Sequence, residues 1–351
     1  MRYVVTGGTG FIGRRVVSRL LQSDADARVW VLVRRQSLSR FERLATDWGD
    51  RVKPLVGELP ELPVTEQISA ELGQIDHVVH CAAVYDITAG EDQQRAANVD
   101  GTRAVIELTR RLDATLHHVS SIAVAGDFAG EYTEADFDVG QQLPSPYHRT
   151  KFEAELLVRS STGLRYRIYR PAVVVGDSRT GEMDKIDGPY YFFGVLARLA
   201  ALPSLTPILL PDTGRTNIVP VDYVVDALVA LIHEDNMAFL NGRTFHLTAP
   251  QSVGLRGIYQ AVTKEAGLPP ARGGTPRLGG HPGAQGTGPR EGAAQHGGHP
   301  AGDSLRNLRR LGPQAHLHQR RNAESVARQR CATARLRRLR PQVVALLGPT
   351  P

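Results

Sequence analysis

The sequence predicts an α/β fold with a doubly wound parallel sheet, a smaller C-terminal substrate-binding domain and a low-complexity tail. Three observations lead to this expectation. Short apolar strands alternate with amphipathic helices up to residue 270, a glycine-rich segment joins the first strand to the first helix, and the composition changes near residue 271. Strand–helix alternation is typical of parallel sheets, because crossovers between parallel strands usually contain a helix. The expected segments are 1–175, 176–270 and 271–351, with parts of the second returning to the first.

Hydrophobic periodicity places the elements in order along the chain. Residues 3–5 form an apolar strand, and residues 11–22 follow with apolar side chains at helical spacing. The later elements are strands at 29–33, 76–81, 116–120 and 166–169 and helices at 98–112 and 147–158. Residues 212–226 indicate a loop and a strand that lead into a helix, with Asp222 as the expected N-cap.

The overall composition excludes several classes of protein. Hydrophobic residues make up 41% of the 351 positions, enough for a sizeable core, so a chain disordered throughout is excluded. Cys81 and Cys331 are too few and too far apart in sequence for a disulfide framework or a cysteine-rich zinc site. We therefore expect a cytoplasmic protein and no bound metal.

Two further patterns bear on membranes. The first residues lead directly into a strand pattern, without the basic and apolar regions of a signal peptide. The longest apolar stretch, 190–210, is interrupted by Arg198, Pro203 and Pro207, so it falls short of the roughly 20 residues that a membrane span requires. A transmembrane protein is not expected.

The tail, residues 271–351, carries the basic character of the chain. It holds 14 arginines, no lysine and 3 acidic residues, a balance of +11, whereas the rest of the chain has 28 basic and 33 acidic residues. The tail has no aromatic residue, and Gly and Pro make up 21 of its 81 positions. This composition is typical of a GC-rich gene read in a shifted frame, which we take as the leading hypothesis. A natural disordered tail and an arginine-rich nucleic-acid-binding arm are the alternatives, and we expect no nucleic-acid partner.

The glycine-rich segment lies between the first strand and the first helix. It consists of Thr6, Gly7, Gly8, Thr9, Gly10, Phe11, Ile12 and Gly13. The first of its spaced glycines permits a tight turn, the second lets a pyrophosphate approach the backbone, and the third allows close packing of the helix on the strand. The helix N-terminus then offers unpaired N–H groups to phosphates. The segment predicts a dinucleotide site in a Rossmann-type domain over residues 1–175.

Two arginines follow the second strand, at Arg34 and Arg35. An NAD-preferring site normally carries Asp or Glu here to bind the ribose 2′-hydroxyl, whereas arginine can pair with a 2′-phosphate. These residues favour NADPH as the cofactor. The alternative is that both are solvated surface arginines.

A reactive pair is expected on the helix that begins near residue 147. Tyr147 and Lys151 are four residues apart and share one helix face, so the ammonium group can favour the phenolate and lower the pKa of the tyrosine. Ser120 and Ser121 end the preceding strand, where a hydroxyl can hydrogen-bond an oxygen on which negative charge develops. The combination predicts a hydride-transfer site with Tyr147 as proton donor.

These motifs resemble those of the extended short-chain dehydrogenase/reductases, and they do so over about residues 1–265. In chain order they are the Thr6–Gly13 segment, His80-Cys81-Ala82-Ala83, Asn98-Val99-Asp100-Gly101-Thr102, Ser120-Ser121-Ile122-Ala123-Val124-Ala125-Gly126, Tyr147-x-x-x-Lys151 and Arg170-Pro171. The resemblance implies that Ser121 is the catalytic serine, Tyr147 the acid/base, Lys151 the partner of the tyrosine and the ribose, and Asn98 a supporting residue. It also implies a cofactor lining formed by Glu58, Leu59, Cys81, Ala82, Ala83, Ser120, Pro171, Val173 and Val174. Glu58 stands where the family usually has Asp beside the adenine.

Within that family the chain is similar to the thioester and fatty acyl-CoA reductases, and more closely to the N-terminal half of actinobacterial multifunctional acyl-CoA reductases. Leu32-Val33-Arg34 and the apolar segment 189–210 carry this similarity. The apolar segment has three interpretations: an acyl-chain tunnel, a membrane-facing lid that would make peripheral contact with a membrane, or ordinary core. The second reductase domain and the C-terminal segment that completes the substrate domain in that family are not found in this sequence.

The expected activity is NADPH-dependent reduction of a long-chain acyl thioester, carried on CoA or an acyl-carrier protein, to an aldehyde or alcohol. The alternatives are a steroid or sugar-nucleotide dehydrogenase, epimerase or dehydratase, and a non-catalytic NADP-binding relic. Arg215 is a weaker candidate for a CoA or phosphate contact. The strand-borne histidines are expected to be structural, with their hydrogen bonds satisfied, and are His77, His80, His117 and His118.

Overall fold

The computed structural model describes residues 1–62, 65–85, 90–184, 214–234 and 237–266. The apolar segment 189–210, the tail 271–351 and Cys331 lie outside the described residues, so the expectations about them stay predictions. The described residues up to 254, apart from Gly214, form one compact unit, and the helix at 255–266 belongs to a second. The expected segment boundaries at 175 and 270 also stay predictions.

A seven-stranded parallel sheet forms the centre of the first unit, as the sequence predicts. Its strands, in chain order, are β1 (Arg2–Thr6), β2 (Arg28–Val33), β3 (Val52–Val56), β4 (His77–His80), β5 (Thr115–Val119), β6 (Arg165–Pro171) and β10 (Arg243–Leu247). Their order across the sheet is β10-β6-β5-β4-β1-β2-β3, and every neighbouring pair is parallel. Two short sheets complete the strands: β7 (Val173–Val175) pairs with β9 (Ile218–Pro220), and β8 (Arg215–Thr216) with β11 (Val253–Gly254).

Helices connect the strands of the sheet. They are α1 (Phe11–Ser23), α2 (Leu38–Trp48), α3 (Glu66–Leu72), α4 (Glu91–Arg95), α5 (Gly101–Arg111), α6 (Pro146–Ser160), α7 (Val221–Ile232), α8 (Met237–Leu240) and α9 (Leu255–Ala266). The helix predicted at 98–112 is α5 preceded by a π-helical turn, Ala96–Asp100. Within the described ranges, no helix combines the length and apolar character needed to cross a bilayer.

The order of the strands determines where a ligand can bind. The chain runs from β1 outward through β2 to β3, and then returns to place β4 on the other side of β1. Nucleotides bind α/β sheets at such a reversal, in the crevice beyond the carboxyl ends of the two diverging strands. The carboxyl ends of β1 and β4 are at Thr6 and His80.

The central strands of the sheet are buried on both faces, as parallel strands covered by helices require. Five of the six residues of β2 are buried, and so are all of β4 and β5. One core cluster includes Val4, Val78 and Leu116 from three neighbouring strands and Val105 from helix α5. The period of apolar residues in these segments was therefore a reliable guide to the buried positions.

Asp222 does not cap helix α7, contrary to the sequence prediction. The N-cap is Pro220, which has no side-chain acceptor, and Asp222 lies in the first turn of the helix. Its carboxylate accepts hydrogen bonds from the backbone N–H of Ser178 at 2.9 Å and from the Ser178 hydroxyl at 2.6 Å. An N-cap must precede the helix to reach its free N–H groups; Asp222 instead holds the loop after β7 against α7.

Four histidines of β4 and β5, which we call the histidine row, lie side by side in the sheet: His77, His80, His117 and His118. The predicted structural role with satisfied hydrogen bonds is confirmed for three of them. His77 Nδ1 and His117 Nε2 are 3.0 Å apart, and His80 lies within hydrogen-bond distance of Thr6 and Thr102. The prediction is wrong for His118, which is 1% exposed and has no partner for either ring nitrogen.

Candidate active site

A cavity of about 1040 Å³ opens at the strand reversal. Its walls come from the ends of β1, β2, β4 and β5, from the start of α6, and from the residues that follow β6. The volume is at the upper end of the usual range for small-molecule sites. The predicted site residues that line this cavity are Thr6, Gly7, Thr9, Gly10, Phe11, Ile12, Gly13, Arg34, Glu58, Leu59, Cys81, Ala82, Ala83, Ser120, Ser121, Tyr147, Lys151, Pro171, Val173 and Val174. Gly8, Arg35 and Asn98 lie outside the lining.

The glycine turn forms one wall and leaves no room for side chains. Gly7 has φ +67°, and a Cβ added there would lie 2.7 Å from the backbone N of Ala82. A Cβ on Gly13 would collide with the carbonyl oxygen of Gly7, which also accepts a 2.9 Å hydrogen bond from Gly10 N–H. Gly10 is the N-cap of α1 and provides no side-chain cap. This bare helix N-terminus fits a pyrophosphate, because phosphate oxygens can accept from its first N–H groups.

The end of β4 forms the opposite wall through Cys81, Ala82 and Ala83. Thr6 ties the two walls together, since its carbonyl accepts from Cys81 N–H at 3.2 Å and its hydroxyl from Ala82 N–H at 3.3 Å. The Thr6 hydroxyl also lies 2.6 Å from His80 Nδ1. Burial raises the pKa of the Cys81 thiol to about 12, so the thiol is neutral near pH 7.

A positively charged end of the cavity follows β2. Arg34 is exposed and lines the cavity together with Ser37 and Arg40, whereas Arg35 does not. Glu58, also exposed, and Leu59 line the same end. Arg34 and Arg40 could hold a phosphate on the ribose, because a guanidinium pairs with phosphate through parallel hydrogen bonds. Sequence reasoning missed Arg40. It lies six residues after Arg34, in the first turn of the next helix, α2.

The candidate reacting groups come from two elements. Ser121 ends the segment after β5 and accepts a 3.1 Å hydrogen bond from Ala123 N–H. Tyr147 lies in the first turn of α6, which Ser145 caps through the backbone N–H of His148. Burial raises the pKa of Tyr147 to about 12, and a hydrogen bond from its neighbour Ser121 opposes the rise. The two hydroxyls are therefore adjacent at the cavity wall, as the sequence predicts.

Lys151 lies one turn further along α6 and is 3% exposed. Its Nζ donates a 2.8 Å hydrogen bond to the carbonyl oxygen of Val119. Burial lowers the pKa of Lys151 to about 8, and the charge of Glu155 opposes that change. The expectation that Lys151 lowers the pKa of Tyr147 is wrong in this structure, because burial of the phenol outweighs every other influence on its pKa.

Asn98 supports the site from behind the cavity wall. It is 2% exposed, in the π-helical turn, and its Oδ1 accepts from Val84 N–H at 2.8 Å. Its Nδ2 donates to the Val84 carbonyl at 3.2 Å and to the Thr150 hydroxyl at 3.0 Å. Asn98 thus joins the loop after β4 to the residue before Lys151, which is a positioning role.

A buried ion pair that sequence reasoning missed lies beneath the reacting groups. Glu155 and Arg170 are both fully buried, and their closest side-chain atoms are 2.7 Å apart. Glu155 also accepts from the Ser120 hydroxyl at 2.6 Å and from Arg159 Nε at 2.8 Å. The charges of Arg170 and Arg159 lower the pKa of Glu155 despite its burial. A carboxylate four residues after Lys151 on the buried face of a helix was the signal in the sequence.

Other predicted or neighbouring residues take different positions. Arg215 is exposed and donates to the carbonyl oxygen of Ser252 at 3.1 Å, and it is not part of the cavity lining. Tyr85, which the sequence analysis did not single out, lines the cavity and meets the Tyr147 ring edge-on, with ring centroids 4.7 Å apart. Over the part of the chain that the structure describes, no group of three or more His, Cys, Asp or Glu side chains is arranged to hold a metal ion.

Comparison with protein families and known proteins gives three results. The family model described as male sterility protein matches residues 5–228. A glycine betaine reductase of Emericella nidulans is 29% identical over 292 residues, which cover 76% of this chain and 22% of that protein. A dTDP-glucose 4,6-dehydratase of Mycobacterium tuberculosis is 34% identical over 178 residues, which cover 48% of this chain and 52% of that protein. This chain therefore spans about half or less of the length of these relatives.

Among solved structures, the terminal R domain from the myxalamid PKS-NRPS biosynthetic pathway superposes with a TM-score of 0.65. The two are 28% identical, and the match covers 75% of this chain and 69% of that one.

Proposed function

The chain belongs to the male sterility protein family of extended short-chain dehydrogenase/reductases, and on that premise we propose that it is an NADPH-dependent reductase of acyl thioesters. The substrate that we propose is a long-chain acyl group on CoA or an acyl-carrier protein, and the product is an aldehyde or, after a second reduction, an alcohol. The observation that carries the proposal is the position of Ser121, Tyr147 and Lys151 in the same cavity as the glycine turn.

The residues of this chain divide the work of reduction. A bound nicotinamide cofactor supplies the hydride that adds to the thioester carbonyl carbon. The hydroxyls of Ser121 and Tyr147 then hydrogen-bond the carbonyl oxygen as negative charge develops on it. Tyr147 gives its proton to that oxygen. When the carbonyl re-forms, the hydroxyl returns its proton to the Tyr147 phenolate and the C–S bond breaks. The thiolate leaves and takes up a proton from water, and the aldehyde is released.

The raised pKa of Tyr147 suits a proton donor. With a pKa of about 12 the phenol stays protonated near pH 7, and it can lose its proton only while a stronger base, the oxyanion, is present. Lys151 lies one helical turn from Tyr147, and its Nζ is hydrogen-bonded to the carbonyl oxygen of Val119. A protonated ammonium at this position would stabilise the phenolate that remains after proton transfer. Glu155 helps to keep that ammonium charged by raising the pKa of Lys151.

The preference for NADPH rests on the positively charged end of the cavity. Arg34 and Arg40 offer two guanidinium groups there, and Ser37 adds a hydroxyl. A 2′-phosphate would pair with these groups, whereas a ribose 2′-hydroxyl brings no negative charge to them. Glu58 follows β3 and also lines this end of the cavity. We propose that it lies beside the adenine.

The comparisons favour a reductase over the alternatives. The match to a protein named a reductase covers 76% of the chain, whereas the match to the sugar-nucleotide dehydratase covers 48%. That second match keeps a sugar-nucleotide dehydratase as the alternative candidate, since the serine, tyrosine and lysine would serve either reaction. A reductase of CoA or carrier-protein thioesters would act in the cytoplasm, where those substrates are made.

The proposal is tested with the Tyr147→Phe variant and a matched control, Tyr132→Phe. Tyr132 donates its hydroxyl hydrogen to the Phe137 carbonyl and is not part of the cavity lining. Turnover is followed as oxidation of NADPH with a long-chain acyl-CoA, as loss of water from dTDP-glucose in the presence of NAD+, and as reduction of NADP+ with a hydroxysteroid. We expect turnover with the acyl-CoA in the parent chain and in Tyr132→Phe, and a loss of about 100-fold or more in Tyr147→Phe with NADPH binding unchanged.

Three outcomes would contradict the proposal. Full activity in Tyr147→Phe would show that the tyrosine is not the proton donor. Turnover of dTDP-glucose in place of the acyl-CoA would favour the dehydratase. Tight binding of NADPH without turnover of any of the three substrates would favour a non-catalytic relic.

A further inference from the structure

Five charged side chains meet at the positively charged end of the cavity, and we call this cluster the arginine rim. It consists of Arg14 and Arg15 on α1, Arg40 on α2, and Glu182 and Asp184 in the loop after β7. The cluster ties this loop to the two helices that flank the dinucleotide cleft. Its carboxylates hold the arginines that face the cleft.

Asp184 is the centre of the rim. Its carboxylate accepts from Arg14 at 2.6 Å and from Arg40 at 3.2 Å, and it lies 3.6 Å from Arg15. The Asp184 side chain is only 16% exposed, although it lies at the edge of the cavity. Asp184 and Arg40 both line the main cavity and also a smaller one of about 300 Å³ beside it.

Glu182 contacts the same helix without facing the cleft. Its carboxylate pairs with Arg14 at 2.7 Å and with Arg15 at 3.2 Å, but it makes no contact with Arg40 and does not line the cavity. Its side chain is 58% exposed. Two carboxylates two residues apart thus share Arg14 and Arg15 and differ in their relation to Arg40 and the cleft.

We propose that Asp184 is a specificity-determining residue that weakens the preference for a 2′-phosphorylated cofactor by occupying Arg40. This inference rests on the proposed function, which places the 2′-phosphate beside Arg34 and Arg40. A phosphate at that position competes with Asp184 for the Arg40 guanidinium and is repelled by the Asp184 carboxylate. A cofactor that carries only a 2′-hydroxyl meets neither effect, because it brings no negative charge to this end of the cavity.

The physical consequence is a selectivity that depends on one carboxylate. Arg34 remains available to the phosphate, so NADPH still binds better than NADH in the parent chain. Replacing Asp184 with Asn removes the negative charge, keeps the size of the side chain and releases Arg40. Binding of NADPH should then tighten while binding of NADH stays the same. The effect is modest because Arg40 is 49% exposed and water screens its interactions.

The test measures dissociation constants of NADPH and NADH for the parent chain, Asp184→Asn and Glu182→Gln at low ionic strength. We expect Asp184→Asn to bind NADPH about fivefold more tightly and to leave NADH within a factor of about two. Glu182→Gln, which removes an equal charge from the same loop, should leave the NADPH-to-NADH ratio unchanged. The fivefold gain should shrink at about 0.5 M salt, where the Debye length falls to a few ångströms.

The other outcomes separate this inference from the function on which it rests. Equal tightening of both nucleotides, weaker NADPH binding, or the same change in Glu182→Gln would overturn the role of Asp184 while leaving the reductase proposal intact. A parent chain that binds neither nucleotide, or that prefers NADH, would overturn the proposed cofactor and this inference together. The acyl-CoA turnover assay identifies the second case independently, since Asp184 lies away from Ser121 and Tyr147 in that proposal.

Discussion

The histidine row and the arginine rim are both clusters of ionisable groups, yet their surroundings give them opposite properties. The imidazoles of the row are at most 8% exposed, and burial lowers their pKa values, to about 4 for His77 and about 3 for His80. In the rim, Arg40 and Glu182 are 49% and 58% exposed, so water solvates their charges in addition to the ion pairs that they form with Asp184 and Arg15, respectively. Burial fixes the protonation state of a group, whereas exposure leaves its charge available for recognition.

The buried Glu155–Arg170 pair extends the comparison to charges inside the protein. Each side chain is fully buried, and the pair survives because Ser120, Arg159 and the Asp136 carbonyl add hydrogen bonds to it. Arg40 and Glu182 in the rim need no such support, because solvent can replace a partner that either of them loses. The three predictions that follow use this contrast, from the largest expected effect on stability to the smallest.

Acid should destabilise the fold through the histidine row. Its pKa values in the fold lie below the value of about 6.5 for an exposed histidine, so the unfolded chain binds more protons at acid pH. The contribution is complete above pH 6.5 and is lost as pH falls from 6.5 toward 4. At pH 5, His77 and His80 should each remove about 2 kcal/mol from the free energy of unfolding, and His117 and His118 should add to the loss. Urea unfolding at pH 7.5 and pH 5 measures the difference.

A variant of the unpaired histidine sharpens that test. His118→Leu removes a buried imidazole that has no hydrogen-bond partner among the described residues, and burial lowers its pKa, so the variant should lose less stability than the parent chain between pH 7.5 and pH 5. An unchanged pH dependence in His118→Leu would show that the row does not control acid stability.

Breaking the buried ion pair should cost less than the full acid effect but more than any rim substitution. Glu155→Gln leaves Arg170 buried without a counter-charge, and we expect the free energy of unfolding to fall by about 3–5 kcal/mol. The matched control is Glu153→Gln on the same helix, which removes the partially exposed partner of Arg95 and should cost less than about 1 kcal/mol. Chemical unfolding of both variants gives the comparison, and equal losses would contradict the assigned difference between buried and exposed pairs.

The rim should contribute least to stability. Glu182→Gln removes the ion pairs of an exposed carboxylate with Arg14 and Arg15, both of which keep Asp184 as a partner, and the expected change in the free energy of unfolding is within about 1 kcal/mol. The melting temperature at low and at about 0.5 M salt measures it, and the difference from the parent chain should be smaller at high salt. A loss comparable to that of Glu155→Gln would mean that the rim supports the fold rather than the choice of cofactor.

Much of the candidate site could be predicted from the sequence because its parts are local. The glycine turn needs only a strand, a tight turn and a helix, and the backbone of Gly7 at φ +67° shows the conformation that the motif indicates. Tyr147 and Lys151 share a helix face by their spacing alone. The parallel sheet followed from apolar strands separated by helices, and its strand order confirms that fold class.

The predictions that were wrong concern groups whose state depends on distant neighbours. The sequence predicted Asp222 as an N-cap from its place near the start of a helix. Its carboxylate instead accepts a hydrogen bond from Ser178, 44 positions earlier in the chain. The pKa of Tyr147 rises rather than falls because burial around it outweighs the nearby ammonium group. Among the described residues, His118 finds no hydrogen-bond partner for either ring nitrogen, which its position in a buried strand did not indicate.

The sequence by itself determined the fold class, the nucleotide-binding turn and many of the residues that line the cavity, though not Arg40 or Tyr85. Strand and helix periodicity and short-range spacing act within one element or between adjacent ones. Only the tertiary structure decided which of the charged residues are buried and which charges face each other. Glu155 reaches Arg170 on the following strand, and Asp184 reaches Arg40, 144 positions away in the chain. Desolvation and Coulomb interactions depend on distance in space, which residue order does not specify.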